Sequence, residues 1–336
     1  MRSSGICCGV SRIPRLILAI LVLGASLVSA GAQAPKPKPK PTVWISPPGQ
    51  DNAKAFRELF ERPDEWKETR ALVDVLFLTD LSFQNHFKDD AELARWFAQA
   101  RDWKLKLAFE AGAIKPWGKT GAGTFEKERV NWERLQKLGA NIYAVAMDEP
   151  LVCAREQIHE SDEYAVEETA NYVAQVRQHF PDMLVGDIEA YPSSTVEEHE
   201  HWIEALNKRL AAKGVRGLDF YRLDVDWLRF NAQGKGSWKD LRELERWCRQ
   251  KKLPFQLIYW ASGYPAASKR GLADDSTWYT AIMQQGYDYA LIDGKPDAYV
   301  IESWIGAPSQ CVPDNGEWTF TRSVRDFARK FVKPGE

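Results

Sequence analysis

The chain has 336 residues, 44% of them hydrophobic, with 45 Lys and Arg against 47 Asp and Glu for a net charge of −2. No basic stripe interrupts that balance, so nucleic acid is not an expected partner. The five histidines and five cysteines show no metal-finger spacing, and the fourteen tryptophans stand out as the compositional excess.

In chain order, Arg2, Arg12 and Arg15 precede the apolar segment LILAILVLGASLVSA, followed by AGAQA, a small-residue cleavage pattern. Residues 1–34 are expected to be a bacterial-type secretory signal peptide, making the mature chain secreted or periplasmic with no stable membrane insertion after cleavage. Residues 35–42, rich in Pro and Lys, read as an extended spacer. Residues 43–336 then form one domain, long enough for a single large α/β barrel.

Within that domain eight short apolar runs read as strands: 42–48, 71–80, 104–112, 141–150, 183–192, 218–227, 254–262 and 298–304. Stretches of helical spacing separate them, such as DAELARWFAQARDW, DEYAVEETANYVAQVRQHF and SWKDLRELERWCRQKK. AKAFRELFERPDEW, between the first two runs, is read as the first helix. Thr195 with Glu198 forms a capping-box pattern, Ser237 opens a helix, and Gly139 and Gly214 close helices. Alternating strands and helices imply parallel pairing with crossover helices, and eight units predict an α/β fold of the (β/α)8 TIM-barrel type. No glycine-rich phosphate loop follows the first strand, and no Gly-x-Ser-x-Gly elbow occurs.

In such a barrel the site lies at the C-terminal ends of the strands. Those ends carry Ser46, Asp80, Glu110, Asp148 with Glu149, Asp187 with Glu189, Asp224 with Asp226, Tyr259 with Trp260, and Glu302 with Trp304. Acids crowded on one face repel and desolvate one another, so their pKa values separate into an acid and a base at one pH. Cleavage of a glycosidic bond needs that pairing. Trp117, Tyr191, Trp227, Trp260 and Trp304 lie at or beyond the same ends, where their rings can stack on sugars. A carbohydrate substrate is therefore expected, and no cofactor.

The strand-end sequence AMDEP, with IESW several strands later, resembles the clan of retaining (β/α)8 glycoside hydrolases that includes cellulases, mannanases and β-galactosidases. The resemblance implies Glu149 as general acid/base, Glu302 as nucleophile and Trp304 as a sugar platform beside it. Asp148 departs from the asparagine usual there; an Asp-Glu pair is similar to that of substrate-assisted hexosaminidases. A second departure is that Glu302 falls on the eighth strand, opposite the fourth, which favours the wider carboxylate separation of inverting enzymes. In GDIEAYP, Asp187 and Glu189 share a side of their strand. This D-x-E pair resembles those of chitinase-like and muramidase-like barrels, making Glu189 the substitute for either catalytic partner. Asp148, Asp187, Asp226, Glu110, Trp117, Tyr191, Trp260 and Trp304 are the expected substrate-binding residues. LDVDW is similar to the chitinase strand, but Leu228 stands where that pattern ends in glutamate.

Two other uses of these residues remain open at this stage: a non-catalytic carbohydrate-binding barrel, and a divalent-metal enzyme built on Asp224 and Asp226. Cys7 and Cys8 leave with the signal peptide, and a bridge between Cys153 and Cys311 is the expected pairing, with Cys248 free.

Overall fold

The computed structural model describes residues 40–48, 54–226, 229–230, 233–261 and 274–335. The signal peptide, most of the spacer, Trp227 and Leu228 lie outside the described residues. Eight parallel strands close into a barrel in sequence order. They are β1 (Thr42–Ser46), β2 (Val75–Thr79), β3 (Lys106–Ala111), β4 (Ile142–Asp148), β5 (Leu184–Tyr191), β6 (Phe220–Val225), β7 (Phe255–Tyr259) and β8 (Ala298–Glu302). Each falls within one of the eight apolar runs. The ring closes where β1 pairs with β8, with Ser46 opposite Glu302.

Outside the barrel lie α1 (Lys54–Glu61), α2 (Lys67–Arg70), α3 (Asp80–His86), α4 (Asp90–Asp102), α5 (Gly121–Lys137), α6 (Pro150–Glu156), α7 (Asp162–His179), α8 (Val196–Ala212), α9 (Trp238–Gln250), α10 (Asp275–Leu291) and α11 (Phe320–Phe327). Thr195 and Glu198 complete the reciprocal capping box of α8, and Ser237 accepts from the Asp240 amide at the start of α9. Gly139 and Gly214 adopt positive φ after α5 and α8, as helix-ending glycines do. The short helices α3 and α6 were not foreseen; they spring directly from the ends of β2 and β4.

Two separate apolar layers follow from strand alternation. Val43, Ile45, Leu78, Phe109, Met147, Leu223 and Ile301 pack outward against the helices. Trp44, Phe77, Ala108, Ala146, Ile188, Phe220 and Val300 fill the barrel interior. Among those interior rings lies the guanidinium of Arg222, which is 4.3 Å from the centre of Phe77 and 4.7 Å from that of Trp44. Its Nε and Nη2 donate to Gln256 Oε1 at 2.9 and 2.8 Å.

The expected bridge between Cys153 and Cys311 does not form: Cys153, Cys248 and Cys311 are all free and buried. Cys153 lies on α6 with its thiol toward Gln157 (3.5 Å), whereas burial and the neighbouring Glu58 carboxyl on α1 push the Cys311 thiol up. Fully buried Trp66, Trp132 and Trp278 account for part of the tryptophan excess as packing.

Candidate active site

β4 and its turn set the centre of the mouth. Asp148 continues the inward alternation of Ala144 and Ala146 and forms an ion pair with Lys115, from the loop after β3. Glu149 has left-handed backbone angles, φ 49° and ψ 50°, uncommon for a residue with a Cβ. Two bonds hold it there: its amide donates to Ile188 O at 2.9 Å, and its carbonyl accepts from the Cys153 amide at 2.8 Å. Pro150 then supplies the first residue of α6, where a missing amide costs nothing. Glu149 is thus presented by a sharp strand-to-helix turn, and its carboxyl makes no capping bond to the helix it precedes.

Around it, burial sets the protonation pattern. Burial, then Asp148, pushes Glu149 up to about 7, with Lys115 pulling the other way. Glu110, on β3, is held well above the carboxylate range by burial and by the charges of Asp148 and Glu302. Asp224, on β6, is likewise raised by burial and by Glu149 and Glu302, while its Oδ1 accepts from Trp260 Nε1 at 2.8 Å. Glu302 ends β8 and is 1% exposed. Burial lowers Arg222 to about 10 against the pull of Glu302 and Glu110, which leaves it charged beneath both acids at neutral pH. Asp226 stands just past β6, its Oδ1 accepting from the Arg229 amide at 3.0 Å, and its charge reaches Glu149.

A cleft of about 570 Å³ opens over the ends of β2, β3 and β4, lined among others by Thr79, Leu81, Glu110, Lys115, Trp117 and Asp148. Trp117 is 40% exposed at its edge. On the opposite side, past β7 and β8, Trp260 and Trp304 pack with ring centres 4.0 Å apart, and Trp304 keeps 36% exposure. Glu110, Asp148, Glu149, Asp224, Asp226, Glu302, Trp117, Trp260 and Trp304 are therefore gathered on one face of the barrel. Among the described residues, no group of three or more His, Cys, Asp or Glu side chains is placed to hold a metal ion. Asp224 is instead committed to Trp260.

Three expected site residues are placed elsewhere, which corrects the reading of GDIEAYP. Asp187 and Glu189 do share a side of β5, but it is the outer side, facing the helices. Asp187 accepts from Trp202 Nε1 on α8 at 2.6 Å. Glu189 accepts from the amides of Leu151 and Val152 at 2.6 and 3.3 Å, capping the start of α6. Tyr191 donates to Asp240 Oδ2 at 2.6 Å and accepts from the Ser237 amide at 2.8 Å. Conversely, Lys115 and Arg222 were not singled out. Arg222 did leave a signal, because FYRLDV places it two residues from Asp224, on the same face of the strand; Lys115 lies in a loop and left none.

No protein-family model matches this sequence, and neither does any curated protein. Solved structures do resemble the fold. A xylanase 10C variant from Cellvibrio japonicus, in complex with xylopentaose, aligns at 11% identity and TM-score 0.53, over 88% of this chain and 68% of that one. A GH10 endoxylanase from a sugarcane soil metagenome aligns at 8% identity and TM-score 0.49, over 79% and 86% of the two chains. A D-psicose 3-epimerase aligns at 13% identity and TM-score 0.45, over 81% and 93%. At 11% identity the likeness to the xylanase is one of fold alone, a (β/α)8 barrel.

Proposed function

We propose that this protein is an exported glycoside hydrolase that cleaves a poly- or oligosaccharide with Glu149 as the proton donor. The observation carrying this reading is Glu149 itself, a carboxyl poised at about 7 on a constrained turn, in a mouth bordered by exposed Trp117 and Trp304. A carboxyl raised that far is protonated in a useful fraction at neutral pH and can donate to a departing glycosidic oxygen.

Glu302 is the second carboxylate, because it ends β8 on the mouth face with the buried cation of Arg222 beneath it. β4 and β8 are half the barrel apart in strand order. That placement favours the separation of roughly 6.5–9.5 Å that leaves room for a water, and hence inversion of the anomeric centre. Glu302 then acts as a base on that water rather than as a nucleophile. Glu110, protonated in this setting, donates a hydrogen bond to a sugar hydroxyl.

The test compares wild type with Glu149→Gln on plant, fungal and bacterial polysaccharides, measuring reducing ends and the anomer first released by NMR. Wild type is expected to cleave one of them, and the variant to lose at least about a hundredfold in kcat/KM. Equal rates would remove Glu149 from the chemistry; glycan binding without cleavage by either protein would leave a sugar-binding barrel.

A further inference from the structure

Lys115 is delivered to the mouth by a closed loop rather than a mobile arm. The backbones of Lys115 and Gly118 exchange hydrogen bonds at 3.0 and 2.9 Å, and Gly118 O also accepts from Thr124 Oγ1 at 2.7 Å, tying the loop to α5. From there its ammonium reaches Asp148, the two side chains being 15% and 32% exposed. Burial opposes its charge, but Asp148 and Glu110 outweigh burial and push Lys115 up to about 12. It is therefore a fixed cation and unsuited to act as an amine nucleophile at neutral pH.

The other titratable groups that bear on Glu149 all oppose its ionisation. They are Asp148 beside it, Glu156 on α6 and Asp226 past β6, while the charge of Glu149 in turn raises Asp224 on β6, Glu189 on β5 and the Cys153 thiol. Lys115 is the counterweight: its charge pulls Glu149 down, and its ammonium is paired with Asp148, the acid adjacent in sequence.

We propose that Lys115 is a positioning residue for Glu149, holding Asp148 as a neutralised pair so that the acid beside it can both give up and regain a proton near neutral pH. This rests on the reading of Glu149 as the proton donor. Without the ammonium, Asp148 stands as an uncompensated anion next to Glu149 and holds the proton more tightly.

The experiment follows the Glu149 carboxyl directly by carbon-13 NMR titration, assigned with Glu149→Gln, in wild type, Lys115→Met, Lys115→Arg and Asp148→Asn. Thermal melts establish that each variant is folded. The Lys115→Met midpoint is expected to rise by about one pH unit, Lys115→Arg to restore it, and Asp148→Asn to lower it. The alkaline limb of kcat/KM should move in the same directions on whichever glycan wild type cleaves. Wild-type midpoints in folded Lys115→Met and Asp148→Asn would overturn the proposal. Should Lys115→Met not fold, Lys115→Gln takes its place, with the same rise expected and a wild-type midpoint overturning the proposal. The titration needs no substrate, so it separates this proposal from the glycosidase reading: absence of glycan cleavage defeats the latter and leaves the midpoints to judge the former.

Discussion

Glu149 and Glu189 share a residue type and a neighbourhood, yet their surroundings give them opposite tasks. Glu149 precedes α6 and leaves that helix uncapped by its side chain; Glu189, on the next strand, accepts from the first free amides of α6 instead. Glu189→Ala should therefore act on stability, leaving buried donors unpaired at a cost of about 1–3 kcal/mol, read by urea denaturation. Glu189→Gln, which keeps an acceptor, should lose less. If Glu189→Ala unfolds like wild type but loses cleavage as completely as Glu149→Gln, the capping role is not its main one.

At the scale of elements, the eight strands and the long helices were legible because periods of two and of roughly 3.6 are strong signals over their lengths. The direction of a strand's two faces was not. LVGDIEAY carries apolar residues at both parities, since a parallel barrel strand is buried on both sides, and its pattern cannot tell inside from outside. That is why Asp187, Glu189 and Tyr191 were expected at the mouth; the same rule of position was applied to Asp148 and Glu302, which end β4 and β8. Helices α3 and α6, at seven residues each, are too short for periodicity to reveal. Tight packing between elements leaves one checkable mark. A Cβ at Gly121, the first residue of α5, would stand 1.8 Å from the Glu168 carbonyl oxygen of α7. Gly121→Ala should force the helices apart and cost about 1–3 kcal/mol, seen as a lowered Tm, with the activity of the folded fraction retained.

For the whole molecule, buried acids outside the proposed catalytic pair set a response to pH. Burial and then Asp80 push Glu128 up to about 8, although it accepts from Tyr172 Oη and, at 2.7 Å, from the Gly112 amide. Burial raises Asp80 to about 6 despite bonds from Asn131, Gln84 and Trp132. In both, the folded state keeps a proton that the unfolded chain has already released. Their stabilising contribution is thus complete below the unfolded carboxyl pKa of about 4 and is lost as pH rises through the folded values. Stability should fall between about pH 4 and pH 8, by up to about 1.4 kcal/mol per pH unit for each group. Glu128→Gln should flatten that slope in denaturation curves taken across the range, and an unchanged slope would assign the response to other groups.

Arg222 and the rings of Trp44, Phe77 and Phe220 fill the barrel beneath the carboxylates. Among the described residues the lumen is therefore a packed floor beneath the mouth rather than a channel. Whatever binds at the mouth must therefore arrive and depart by that same face, so under the proposed function a product that lingers there stands in the way of the next substrate molecule.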